Sequence, residues 1–182
     1  GAYIFGAVSV TGTAFASNGA PYVFEKTRLN DVTISPEGIY TNCGFNGNVT
    51  LTSTTGVTAD AINVNDCASS VSGTGSPLFD LSAVTKETSA SFRRWSGGIQ
   101  LTLTSDCTVS IDGVSGGNVT INGTGGTVQV RGMFESIVDN SGGSVTIDTD
   151  AFVNPREIAK AVWDEPTSLH LQSGSYGLSW DE

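Results

Sequence analysis

Short stretches in which apolar and polar residues alternate recur along most of the chain. They are rich in Val, Ile, Leu and Thr. This two-residue period is typical of a half-buried β-strand, because successive side chains of a strand point to opposite faces. The pattern predicts a short strand at residues 31–34 and, after Gly38, eight more at residues 49–52, 61–64, 78–81, 99–103, 109–111, 119–121, 128–130 and 145–147.

The spacing of these predicted strands indicates how they stack. Val109, Val119 and Val128 are 10 and 9 residues apart, and glycine pairs such as Gly116-Gly117 precede the strands at a similar phase. Such spacing fits either a β-sandwich or a β-solenoid. We favour an all-β, short-strand β-solenoid or β-prism, because the strands are very short and only 8% of the residues are aromatic. We call the inward aliphatic residues that would stack from one coil to the next the core ladder, and we expect copies of a trimer to meet there as well. The core ladder consists of Val109, Ile111, Val119, Ile121, Val128, Val130, Val145 and Ile147.

The last segment of the chain predicts one short α-helix followed by an extended tail. Asn154 suits the N-cap, Pro155 the first helical position, and Glu157 completes a capping box. Pro166 ends the pattern. We therefore divide the chain into an N-terminal strand and loop docking region (1–37), a solenoid or prism body (38–152) and a C-terminal helix with its arm (153–182).

A solenoid of this kind leaves open ends and strand edges that need to be covered. Closed cyclic symmetry is the usual form of homo-oligomers. The sequence therefore predicts a homotrimer in which the three copies cover one another.

Charge and hydropathy exclude two classes of partner. The chain has 8 Lys and Arg against 18 Asp and Glu, a net charge of −10. Binding to phosphates needs clustered basic residues, so we expect no nucleic-acid partner. No apolar run approaches the ~20 residues that span a bilayer, and no signal peptide is visible. We expect no membrane insertion.

Three cysteines, Cys43, Cys67 and Cys107, form an odd set without a CxxC pair. A disulfide framework or a zinc site would need more, and paired, ligands. We interpret them as small buried side chains with reduced thiols. We predict no metal site and no cofactor.

Candidate catalytic groups are few. His170 is the only histidine and lies in the C-terminal tail. Two carboxylate pairs, Asp106 with Asp112 and Glu135 with Asp139, could in principle flank a glycosidic bond. Asp112-Gly113 and Asp139-Asn140 are also typical of turns, and a role as turn residues is the simpler interpretation. We predict that the chain is not an enzyme.

Arg93-Arg94-Trp95 forms a local cluster of cations and an aromatic ring. Such a cluster can hold a carbohydrate, or its guanidinium groups can pair with acidic groups of the same or an adjacent subunit, which is the simpler interpretation. Together with Trp163 it is our candidate for an interface or a glycan contact.

Six segments of the chain have a familiar sequence: Ser76-Pro77-Leu78-Phe79-Asp80 and residues 92–99, 125–132, 139–143, 158–166 and 173–177. They resemble structural proteins of tailed bacteriophages and prophages. The resemblance covers roughly residues 29–177, contains no catalytic motif, and includes a C-terminal element that is similar to a helix and tail found in many phage virion proteins.

The resemblance implies a trimeric, β-rich part of a tail, baseplate, fibre or head decoration. We therefore expect a non-enzymatic virion component, assembled in the bacterial host cytoplasm, that acts as a rigid rod or connector among other virion proteins. Two alternatives remain: a module that binds host-surface carbohydrate, and a fragment of a polysaccharide-degrading tailspike.

Overall fold

A computed structural model describes residues 3–6, 9–12, 14–15, 22–34, 38–51, 59–69 and 76–152. These residues form a parallel β-solenoid, and one winding of the chain is called a coil below. No helix occurs among them, and the predicted C-terminal helix and arm lie outside them. The strands are β1 (Tyr3–Phe5), β2 (Ser9–Thr11), β3 (Ala14–Phe15), β4 (Val23–Glu25), β5 (Arg28–Ile34), β6 (Ile39–Thr41), β7 (Gly44–Leu51), β8 (Ala59–Asn65), β9 (Ala68–Ser69), β10 (Leu78–Asp80), β11 (Glu87–Ser96), β12 (Ile99–Leu103), β13 (Cys107–Ser115), β14 (Asn118–Gly123), β15 (Thr127–Gly132), β16 (Ser136–Asp139) and β17 (Thr146–Phe152).

Each coil contributes strands to two stacks. The first stack runs through β1, β4, β6, β8, β11, β13, β15 and β17, and all of its neighbours are parallel. The second runs from β2 and β3 through β5, β7, β10, β12 and β14 to β16. The prediction of an all-β solenoid is confirmed, but β7, β11 and β13 have 8, 10 and 9 residues and are longer than the sequence predicts.

In-register pairing brings like positions together inside the solenoid. In the first stack, one inward position is occupied on successive coils by Ile4, Phe24, Tyr40, Val64, Phe92, Ile111 and Val130. In the second, the corresponding series is Val32, Val49, Phe79, Leu101 and Ile121. Burying such apolar surface stabilises a fold by about 25 cal/mol per Å².

The core from β4 to β11 contains aromatic rings as well as aliphatic side chains. Phe79, Phe92 and Trp95 meet with ring centroids 4.8 to 5.8 Å apart, and Phe24 stacks on Tyr40 at 5.2 Å. The chain has few aromatic residues, but it collects them in neighbouring coils, where each ring packs against the next.

A left-handed residue marks the same corner on successive coils. Lys26, Asn42, Asp66 and Arg94 have φ angles of 52 to 54°. The backbone N–H groups of Lys26, Asn42 and Asp66 donate to carbonyls of the next coil, at 3.0 to 3.1 Å. This conformation turns the chain from the first stack towards the second.

The predicted boundary between residues 37 and 38 does not separate two kinds of structure. Val23, Phe24 and Glu25 of β4 pair in register with β6, and Arg28 to Asn30 of β5 pair with β7. The solenoid therefore extends through the described part of residues 1–37. A docking role for that region stays a prediction.

We predict that Val128→Asp unfolds the solenoid. Val128 is fully buried between Val109 and Ile147, and an unpaired carboxylate there would cost on the order of 4 kcal/mol or more. Thermal unfolding followed by circular dichroism measures the loss. Thr108→Asp, at an exposed position of β13, is the control, and we expect it to change stability by no more than about 0.5 kcal/mol. A Val128→Asp protein with an unchanged melting temperature would contradict the placement of this ladder.

Candidate interaction surfaces

The predicted ladder residues line the interior of the solenoid. Val109, Ile111, Val119, Ile121, Val128 and Val130 have no exposed surface, Val145 is 4% exposed, and Ile147 is partly buried against the same core. They stabilise each coil against the next. Because the buried ladder cannot reach another subunit, contact between copies would have to use other residues.

Trp95 is a core residue and not a surface aromatic. Its side chain has no exposed area, and its indole N–H donates to the carbonyl of Gly97 at 3.1 Å. The ring packs on Phe45, Phe79 and Phe92. The expectation that Trp95 contacts a glycan or a partner is therefore wrong. Trp163 lies outside the described residues, and so does His170, the only histidine of the chain.

Arg94 and Asp66 form an exposed ion pair across two neighbouring coils. The Arg94 Nε and one terminal nitrogen donate to the two carboxylate oxygens of Asp66, each at 2.5 Å. These hydrogen bonds, with the attraction of the guanidinium charge, hold the pKa of Asp66 below its ordinary value. The same contact raises the pKa of Arg94. Both residues lie at the left-handed corner, so the pair links consecutive corners.

Charges alternate along one outward position of the first stack. Arg93, Asp112 and Arg131 occupy this position on consecutive coils. Arg131 also lies 3.4 Å from a carboxylate oxygen of Asp148, which accepts a hydrogen bond from Gln129 as well. Alternating signs reduce repulsion between stacked side chains. Asp112 therefore has basic register neighbours on both sides.

The candidate carboxylates lie at exposed positions, and Asp139 has a structural role. It accepts hydrogen bonds from the Ser141 hydroxyl at 2.6 Å and the Ser141 N–H at 2.8 Å. These hydrogen bonds lower the pKa of Asp139 and close the turn after β16, in agreement with its interpretation as a turn residue. Among the residues that the structure describes, no three His, Cys, Asp or Glu side chains are grouped so as to hold a metal ion.

An apolar patch that the sequence analysis did not identify lies on the outer face of the N-terminal coils. We call Tyr3, Phe5, Val23 and Ile39 the N-terminal apolar patch. Tyr3 is 62% exposed, Phe5 56% and Ile39 39%, and Val23 lies between Tyr3 and Ile39 in the register. The Tyr3-Ile4-Phe5 run is apolar at every position, so its alternation could not show which side faces inward.

The planes of the Tyr3 and Phe5 rings are nearly parallel. Their centroids are 6.4 Å apart and their planes differ by 8°. The Tyr3 hydroxyl donates to a carboxylate oxygen of Glu25 at 2.6 Å, and the Lys26 ammonium lies 5.1 Å from the centre of the Phe5 ring. The patch therefore combines two exposed aromatic rings with an acidic and a basic group.

All three cysteines are buried and free, as predicted. Cys43 and Cys67 occupy the same position on neighbouring coils, because Gly44 pairs with Ala68 in register. The Cys43 N–H lies 3.2 Å from the Cys67 sulfur. The hydrogen bond from the Cys67 thiol lowers the pKa of Cys43, and that bond together with burial raises the pKa of Cys67.

Comparison of the chain with protein-family models, with curated proteins and with solved structures gives no match. No helix of the described residues is long and apolar enough to cross a membrane.

We predict that the Asp66–Arg94 pair contributes a small stability that depends on pH. The pKa of Asp66 is lower in the folded chain than in the unfolded one, so the contribution is present above the ordinary carboxylate pKa of about 3.9 and is lost as the pH falls through the folded value. Asp66→Asn should lower the melting temperature slightly at neutral pH, and the difference from the unmodified chain should disappear under acidic conditions.

Melting curves between neutral pH and about pH 2, below the ordinary carboxylate pKa, test this prediction. Asp106→Asn, at an exposed turn, is the control, and Arg94→Gln should reproduce the effect of Asp66→Asn. A difference between the Asp66→Asn protein and the unmodified chain that stays constant over the whole range would rule out the ion pair as its source.

Proposed function

We propose that this chain is a non-enzymatic structural component of a phage virion, a rigid trimeric rod or connector in a tail, baseplate, fibre or head decoration. The observation that carries the proposal is the continuous stack of parallel strands from β1 to β17. The resemblance of several segments to phage structural proteins supports it. Its partners would be further copies of itself and other virion proteins, assembled in the host cytoplasm.

The interior of the solenoid suits a mechanical role. Its apolar side chains are packed from coil to coil without interruption. Every buried polar side-chain atom of the described residues has a hydrogen-bond partner. The buried hydroxyls of Thr27 and Thr88, for example, donate to backbone carbonyls at 3.1 and 3.0 Å. Interiors packed in this way have low compressibility, so the stack can transmit force along its length.

The ends and the outer face of the stack suit association between copies. Within the described residues, β1 to β3 and β16 to β17 have strand partners on one side only. Such edges are normally covered in native assemblies. The N-terminal apolar patch adds exposed aromatic and aliphatic side chains near the first of these edges. A trimer that covers the patch would remove this surface from water.

We predict that the chain is a trimer in solution. Light scattering of the purified protein should give a mass three times the 18.8 kDa of one chain. The measured mass should stay constant on dilution if contacts between the three copies cover the apolar patch and the strand edges. A mass of one chain at every concentration would contradict the trimer without affecting the solenoid.

The virion role is tested in a bacterium that carries the gene for this chain. Mass spectrometry of purified particles should find the chain in them at a fixed ratio to the other particle proteins. Deletion of the gene should yield particles that lack one visible part. Complete and infective particles without the chain would exclude this function.

A second candidate function, carbohydrate binding, is supported by the exposed and nearly parallel rings of Tyr3 and Phe5. Aromatic faces pack against the C–H faces of sugar rings, which removes apolar surface from water. Glu25 and Lys26 beside the rings supply an acceptor and a donor for sugar hydroxyls. These residues replace Trp95 as the candidates for such contact.

We predict different outcomes of the Tyr3→Ala and Phe5→Ala double variant under the two functions. If the patch binds glycan, binding on a glycan array is lost while the mass of the particle in solution is unchanged. If the patch joins copies of the chain, the mass falls to that of one chain. Met133→Ala, which truncates another exposed apolar side chain (49% exposed), is the matched control and should leave both properties unchanged. An unmodified protein that binds no glycan would contradict the second candidate.

A further inference from the structure

Two of the three cysteines lie directly one above the other in the solenoid. Thr41 pairs with Asn65 and Gly44 pairs with Ala68, so Cys43 and Cys67 are register partners on adjacent coils. Adjacent strands lie ~4.8 Å apart. This separation falls within the Cα–Cα range of about 4.4–6.8 Å that a disulfide spans.

The two side chains also share a direction. Both residues are buried, at 2% and 1% exposure. The Cys67 sulfur lies 3.2 Å from the backbone nitrogen of Cys43 and 3.6 Å from the carbonyl oxygen of Tyr40, so it reaches onto the coil that carries its partner. The Cys43 sulfur lies in the same way 3.5 Å from the carbonyl oxygen of Phe24. Rotation about the Cα–Cβ bonds is the movement that a bond between the sulfurs requires.

We infer that Cys43 and Cys67 are a disulfide site that joins two neighbouring coils when the protein passes from a reducing to an oxidising medium. The oxidant is a small disulfide of the glutathione class. The Cys43 thiolate attacks one sulfur of glutathione disulfide and releases one glutathione thiolate. The Cys67 thiolate then displaces the second glutathione and leaves the Cys43–Cys67 bond. The protein gives up two protons and two electrons, and the glutathione disulfide takes up both.

The position of the pair sets conditions on the reaction. A mixed disulfide with glutathione does not fit between the packed side chains, so the first step requires local opening of the coils. Of the two thiols, Cys43 has the lowered pKa, which makes it the attacking group. Once formed, the bond closes a loop that contains β7 and β8, and such closure restricts the unfolded chain.

Cys107 provides an internal control. It is also buried, but its register partner is Thr88, and its sulfur lies 3.6 Å from the hydroxyl of Thr104. The structure places no second cysteine beside it among the described residues. The inference therefore predicts oxidation at one pair and retention of the third thiol.

The sequence allows the pairing to be determined by peptide mapping. No Lys or Arg lies between Cys43 and Cys67, so trypsin leaves both in one peptide, residues 29–86, while Cys107 falls in residues 95–131. The full chain is held just below its melting temperature in glutathione buffers of increasing oxidised fraction. It is then acidified, alkylated in denaturant and digested. We expect the 29–86 peptide to be two hydrogen atoms lighter and unalkylated, with Cys107 alkylated.

The melting temperature gives a second measurement. A bond across this loop should raise it by roughly 5–10 °C over the reduced chain. Cys107→Ser should show the same rise, and Cys67→Ser should show none. Three alkylated cysteines in the most oxidising buffer, a persistent glutathione adduct or a bond that includes Cys107 would each overturn the inference. The three contradicting outcomes are measured on the unmodified chain, so none of them depends on the folding of a variant.

Discussion

The structure depends on hydrogen bonding between parallel strands of successive coils. Each strand of a stack fixes the register of the next, so that one type of position repeats up the solenoid. Inward positions then form continuous apolar series, and outward positions beyond the N-terminal apolar patch form series of Ser, Thr, Asn and charged residues. The core, the ion pairs and the stacked cysteines all follow from this constraint. A shift of one residue would turn each inward side chain towards solvent.

The sequence was sufficient for the class of fold. Val, Ile and Leu alternate with Ser and Thr in β12 to β15, and this regular spacing gave the strands and their inward residues. The sequence was less informative for β11, the longest strand, because Phe92-Arg93-Arg94-Trp95 does not alternate. The left-handed Arg94 explains this: it interrupts the register between Arg93 and Trp95, so both Phe92 and Trp95 face inward although they are three residues apart.

The candidate surfaces were harder to predict, since they depend on which coil lies beside which. The exposure of Tyr3 and Phe5 follows from the pairing of β1 with β4, which no local pattern reveals. The contact between Cys43 and Cys67 requires that 24 residues make one coil, whereas other coils have different lengths. The same holds for Asp66 and Arg94, 28 residues apart. Spacing in the sequence gives the period of a regular repeat. Because the loops vary in length, it does not show which residues become neighbours on adjacent coils.

The arrangement of the strands also determines how the molecule responds to tension. The strands run across the long axis, and the described chain enters at β1 and leaves at β17, in the outermost coils at opposite ends. Pulling on these two points loads the hydrogen bonds of one end coil at a time, so the solenoid would peel stepwise at low force. Compression is instead carried by the whole packed cross-section. The solenoid is therefore suited to carry compression rather than tension along its long axis.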